Sequence, residues 1–238
     1  MHTIALVSQK GGSGKSTLAI GLAITAMQDG HKVCVLEADP QGTVSNWRRR
    51  RAQAEPVVEP VSADALDYKV PFLDRCGVTL AIIDTAGGHS ADTEAAIRVA
   101  DLCLIPARPS PADIEAAAPT LAAIRANDKP FAFVLNQTPV RSHRLDDAAA
   151  PLSEGATSLN VMGVLALPYI ALRNDQQDAL GAGLAVTEYA LAGKSAEEIR
   201  GLWQWVWRKL TVTAPAHDHT YSANAQTDNQ QSDLRAAG

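Results

Sequence analysis

Two lysines, with three of the four intervening residues being glycine, form the most chemically loaded feature of the chain. They lie in the run SQKGGSGKST, residues 8–17. Gly11, Gly12 and Gly14 let the backbone curl so that successive N–H groups converge, an anion nest that continues into the N-terminus of a helix beginning near Lys15. In the general pattern GxxxxGK[ST], Lys15 reaches the β- and γ-phosphates of a nucleotide and the Ser16 hydroxyl ligates Mg²⁺, with Ser13 and Thr17 completing the cradle. The first glycine of that pattern is replaced here by Gln9, and Lys10 has no counterpart in the ordinary loop.

Two further groups fit the same chemistry. Residues 80–88, LAIIDTAGG, read as an apolar strand ending in an acid and a glycine turn. A carboxylate there, Asp84, is placed to hold Mg²⁺ through its water shell. Asn136 closes the run FAFVLN, and an amide can both donate to and accept from an adenine edge. The following residues, Gln137-Thr138-Pro139, lack the Lys and Asp that a guanine site needs, so ATP is expected over GTP.

The form KGGxGK[ST], with EADPQG at residues 37–42 and LAIIDTAGG downstream, resembles the deviant Walker A box, switch I and Walker B elements of the ParA/MinD family. PARPSPAD at residues 106–113 is similar to the proline-rich loop of its short, ParF-like members. The resemblance covers about residues 1–210. It implies that Lys10 reaches across a dimer interface to the phosphates bound by the other subunit, and that Asp39 orients or activates the attacking water. Phosphoryl transfer depends on positioning and charge stabilisation more than on covalent chemistry, so Lys10, Lys15 and Asp39 would be an adequate catalytic set. The family's switch I begins with Asp where this chain has Glu37, and the role of that residue stays open. The function implied is a Mg²⁺-dependent ATPase that dimerises around ATP, binds DNA non-specifically, and is released when a ParB-like or small adaptor protein stimulates hydrolysis. Its cargo would be a plasmid, a chromosome or another assembly.

The elements that must position these groups alternate. Apolar runs at residues 4–7, 32–37, 80–84, 102–106, 131–136 and 161–167 are separated by helical segments, which predicts an α/β fold with a doubly wound, mainly parallel sheet and ligands at the strand carboxyl ends. Residues 52–74 are the least legible stretch, where a short edge strand and one helix are expected. With 238 residues, 46% of them hydrophobic, one ATPase domain over residues 1–212 fits the length. Residues 213–238 turn polar and predict a disordered tail.

A net charge of −5 confines nucleic-acid contact to a local basic patch. Residues 48–51, RRRR, spread around a helix instead of forming a stripe, and read as a solvated helix end; Arg141, Arg144, Arg173, Arg208 and Lys209 are other candidates. The three cysteines form no CxxC pair, and Cys34 and Cys103 read as buried thiols. With no leader pattern and no apolar stretch of about 18 residues, a cytoplasmic, nucleoid-associated protein is expected. Ser195 to Glu198 reads as a capping box that opens a helix with an apolar stripe of Ile199, Leu202, Trp203, Val206, Trp207 and Leu210. That stripe either packs on the domain itself or binds membrane, as in a MinD-like regulator, and membrane is the less favoured reading. An ATP-dependent metabolic enzyme would need a second substrate constellation, and the sequence offers no Cys/His or Ser/His set for one.

Overall fold

The computed structural model describes residues 1–88, 90–140 and 164–213. Six strands, β1 (His2–Ser8), β2 (Val33–Ala38), β3 (Val57–Pro60), β4 (Leu80–Gly87), β5 (Leu102–Ala107) and β6 (Phe131–Leu135), lie in the order β3-β2-β4-β1-β5-β6. Every pairing is parallel. Alternate residues of the central strands face opposite sides, as a pleated strand requires. Ile4, Leu6, Leu80, Ile82, Leu102 and Leu104 join one apolar cluster, and Ala5, Val7, Ala81, Ile83, Cys103 and Ile105 join the other. Because both faces are covered by helices, these strands are apolar throughout and not alternating.

On the first face lie α1 (Lys15–Gln28), α2 (Thr43–Arg50), α7 (Asn174–Gly181), α8 (Val186–Tyr189) and α9 (Lys194–Thr213); on the second lie α3 (Ala63–Arg75), α4 (Ala91–Val99) and α6 (Ala118–Ala126), with the short α5 (Pro111–Glu115) leading into α6. Helix α1 is buried almost without interruption from Leu18 to Ala26, since it is flanked by the sheet and by α9. The predicted edge strand and helix within residues 52–74 are β3 and α3. Cys34 and Cys103 are buried among apolar neighbours, which pushes both thiols up to about 12.

The stripe of α9 is consumed by the fold. Ile199, Leu202, Trp203, Val206 and Leu210 are buried against α1, and Trp205 and Trp207 pack half-buried on the same cluster. The capping box expected at the start of this helix is not formed. Helix α9 already begins at Lys194, so Ser195 sits inside its first turn and its Oγ donates to Asp175 Oδ1 at 2.7 Å. Glu198 meanwhile accepts from Arg173 Nη1 at 2.7 Å and from the Ala171 N–H at 3.0 Å. A local capping pair has been displaced by tertiary partners.

Two other expectations are corrected. Arg48 to Arg50 end α2 near the surface, but Arg51 is buried, making a bidentate pair with Glu188 at 2.7 Å and lying over the Trp47 ring. The run at residues 161–167 does not form a full strand among the described residues. Residues 164–166 bond the edge of β6 through Phe133, and the ladder is interrupted before Pro168, which has no N–H to continue it. Residues 161–163, Arg141, Arg144 and the polar tail from residue 214 lie outside the described residues.

Candidate nucleotide site

The carboxyl ends of β1, β2, β4, β5 and β6 deliver the motif residues to one pole of the sheet, where a doubly wound fold binds its ligands. Between β1 and α1 the loop turns through Gly12 and Gly14, both left-handed with φ of 72° and 92°. Lys15, the first residue of α1, is buried, and its Nζ reaches the Lys10 carbonyl at 3.5 Å. Burial lowers its pKa, while Asp84 and Asp39 pull the other way. The glycine turn after β4 closes over the loop: a Cβ at Gly87 would come within 3.0 Å of the Gly11 nitrogen.

Asp84 is fully buried and neither carboxylate oxygen has a hydrogen-bond partner. Burial pushes its pKa up to about 7; the nearby Ser16 hydroxyl, stopping short of a hydrogen bond, and the Lys15 charge offset only part of that. The Ser13 Oγ is a second buried atom without a partner. Unpaired buried polar groups are costly, and a buried carboxylate with two unused oxygens beside Ser16 fits a hard cation with oxygen ligands. The donor set of Asp84, Ser16 and the loop therefore suits Mg²⁺ and phosphate.

Glu37 and Asp39 sit at the end of β2 with different tasks. The buried Glu37 carboxylate accepts from the Val44 N–H at 2.6 Å, from the Ser45 N–H at 3.1 Å and from the Ser45 hydroxyl. It thus caps α2, whose own N-cap residue, Gly42, has no side chain to do so. Asp39 is half-buried; its Oδ1 accepts from the Gln41 N–H at 2.9 Å, and its charge acts on both Lys15 and Asp84.

The loop after β5 holds the other lysine. Lys10 Nζ lies 3.2 Å from Asp113 Oδ2, with 41% of its side chain exposed. Asp113 opens α5 beside Ser110, which accepts the Asp113 N–H at 3.2 Å as N-cap. Asn136 is buried at the end of β6 and commits one N–H to the Ser13 carbonyl at 2.8 Å, while its oxygen accepts from the Gln137 N–H at 2.9 Å. One amide hydrogen and one lone pair are not used in these two bonds. They border a small cleft lined by Gly14, Thr17, Leu18, Ile170 and Arg173.

Residues 4–176 match the family of CobQ/CobB/MinD/ParA nucleotide-binding domains. The chain belongs to that family. Within it, the chain is 29% identical over 169 residues to the protein ParA of Rhizobium radiobacter, covering 67% of this chain and 76% of that one. It is 32% identical over 130 residues to the protein virC1 of the same organism, covering 50% of this chain and spanning about half, 54%, of the relative. Among solved structures, McdA from Cyanothece without nucleotide superposes over 88% of this chain and 99% of its own, with a TM-score of 0.68 at 19% identity, which shows a shared fold.

Against the ParA/MinD pattern, the sequence left three participants unassigned. Arg108 and Gln137 hydrogen-bond the Gly12 carbonyl, and Asp113 holds Lys10. Arg108 and Asp113 lay in the proline-rich stretch 106–113 already likened to a family loop, and Gln137 followed an apolar strand run, but neither signal says which side chain touches the phosphate loop.

Proposed function

We propose that the chain is a Mg²⁺-dependent ATPase that works as an ATP-driven dimer switch, binds DNA of any sequence in its ATP state, and partitions or positions a plasmid, a chromosome or another cargo. The observation that carries the reading is the contrast between two lysines on one loop. Lys15 is buried with its amine turned inward to the Lys10 carbonyl, suited to phosphates in its own subunit. The Lys10 side chain is 41% exposed and, among the described residues, tethered to Asp113, suited to reach a nucleotide held by a second copy. Asp84 and Ser16 would then hold Mg²⁺, which would supply positive charge beside the transferred phosphoryl group, and Asp39 would position the attacking water.

Partners of three kinds follow: a second copy, DNA, and a ParB-like or small adaptor that stimulates hydrolysis at the nucleoid in the cytoplasm. The relative named ParA supports the partition branch of the family. Burial of the α9 stripe against α1 favours DNA over a membrane surface. A chain of charge −5 can meet a polyanion only where dimerisation gathers local arginines on one face, so the contact should weaken steeply as salt rises.

Light scattering and fluorescence anisotropy test the reading. With ATP and Mg²⁺ the wild type is expected to dimerise and to bind DNA of unrelated sequence; Lys15→Ala loses nucleotide and dimer, and Lys10→Ala keeps nucleotide but not the dimer. Nucleotide-independent DNA affinity, binding to anionic liposomes with none to DNA, or equal loss of nucleotide affinity in both variants would overturn it.

A further inference from the structure

Three side chains from the ends of β5 and β6 form a continuous network around the back of the phosphate loop. The Gly12 carbonyl accepts from Arg108 Nη2 at 3.0 Å and from Gln137 Nε2 at 2.9 Å. The Ser13 carbonyl accepts from Asn136 Nδ2 at 2.8 Å. The three are joined to each other, since Arg108 Nε donates to Gln137 Oε1 at 2.9 Å and the Gln137 N–H donates to Asn136 Oδ1 at 2.9 Å.

This network has an orienting consequence. In a planar trans peptide the C=O and the following N–H point opposite ways. Holding the Gly12 and Ser13 carbonyls on the β5/β6 side therefore turns the N–H groups of Ser13 and Gly14 away from it, where an anion in the nest would sit. The chain accepts local strain to keep this arrangement. Gln137 has φ of 56°, which is uncommon for a residue with a side chain, and only glycine fits at position 14, where a Cβ would fall 2.2 Å from Asn136 Nδ2.

We propose that Arg108, Asn136 and Gln137 are positioning residues that pre-set the loop's N–H groups for phosphate, and that they govern affinity for the triphosphate and not the choice of base. This rests on the nucleotide reading above. A loop already held in its binding geometry loses less freedom when the anion arrives, so breaking one link should weaken any ligand that carries the phosphates and spare one that lacks them.

Calorimetry with Mg-ATP, inorganic triphosphate and adenosine tests this on the full chain. Gln137→Glu keeps the side chain's shape and its acceptor for Arg108 but sets an oxygen against the Gly12 carbonyl. It is expected to weaken ATP and inorganic triphosphate alike by roughly tenfold, about one hydrogen bond, with adenosine unchanged. Arg108→Ala should lose several-fold and Arg108→Lys, which keeps one donor, should recover part. Because Arg108 is exposed, that pair carries the test if Gln137→Glu does not fold. Asn136→Ala should leave the ratio of ATP to GTP affinity unchanged. Unaltered triphosphate affinity in both Gln137→Glu and Arg108→Ala, or an ATP preference lost in Asn136→Ala while triphosphate affinity holds, overturns the proposal. Wild-type protein that binds neither ATP nor triphosphate would refute the nucleotide reading itself, and this proposal with it.

Discussion

Replacing Asp84 by Asn should stabilise the metal-free protein, and by an amount that depends on pH. The Asp84 carboxyl is fully buried with no partner for either oxygen, and its pKa stands at about 7 against 3.8 for a free carboxyl. A roughly thousandfold difference in proton affinity corresponds to about 4 kcal/mol. The sign follows from which state ionises first. From about pH 4 upward the unfolded chain ionises this group while the folded chain still holds the proton, so the wild type loses stability steadily until about pH 7, above which the penalty is constant. Lys15, Asp39 and Glu37, which face the carboxyl, are already counted in that value. Between pH 5 and pH 8 the wild type should lose about 2–3 kcal/mol that Asp84→Asn does not. The buried amide still lacks partners, at a cost of about 1–3 kcal/mol, so the net gain at pH 8 is smaller than the ionisation penalty. Urea unfolding of both proteins with a chelator present, across that pH range, measures the difference directly. Adding Mg-ADP should then stabilise the wild type more than the variant. A free-energy difference between the two that stays flat from pH 5 to pH 8 would refute the account of an unpaired carboxylate.

Three other outcomes are expected. Glu37→Ala leaves the Val44 and Ser45 N–H groups of α2 without an acceptor and should cost about 2–4 kcal/mol in urea unfolding; a loss under 1 kcal/mol would mean that water or another group caps the helix. Asp39→Ala should bind ATP as the wild type does, hydrolyse it far more slowly and accumulate as dimer in gel filtration, whereas a wild-type rate of phosphate release removes Asp39 from water positioning. Asp113→Asn frees Lys10 from an ion pair that is partly exposed and worth no more than about 1 kcal/mol in each protomer, so ATP-dependent dimerisation should tighten by at most about thirtyfold for the two protomers together; weaker dimerisation would show that Asp113 also contributes to the interface.

The sheet was legible because each strand had to be apolar on both faces. Runs such as LAIID and LCLIP admit little else once helical segments separate them, and the observed order places all of their chemical endings at one pole. The capping box at Ser195 was misread for a physical reason. A Ser-x-x-Glu spacing describes only what the backbone nearby could use, while Asp175, Arg173 and the Ala171 N–H are brought in from other elements and offer these side chains partners within 3.0 Å. Arg51 follows the same logic, since the last of four identical residues is drawn inward by Glu188, 137 positions away.

Glu37 shows how much a departure from a motif can convey once the backbone is known. In the sequence it was a longer arm of the same charge where the family pattern has Asp, and its role stayed open. The structure supplies the reason for the length. With Gly42 at the N-cap of α2, no side chain on the helix itself can accept the first free N–H groups. A carboxylate from the adjacent strand end must cross to them, and the glutamate reaches both Val44 and Ser45. Strand end and helix start are thereby tied together on either side of Asp39, whose own Oδ1 holds the Gln41 N–H in the connecting turn. The residue proposed to position water thus lies in a segment fixed at both ends, which is what a group acting by position requires.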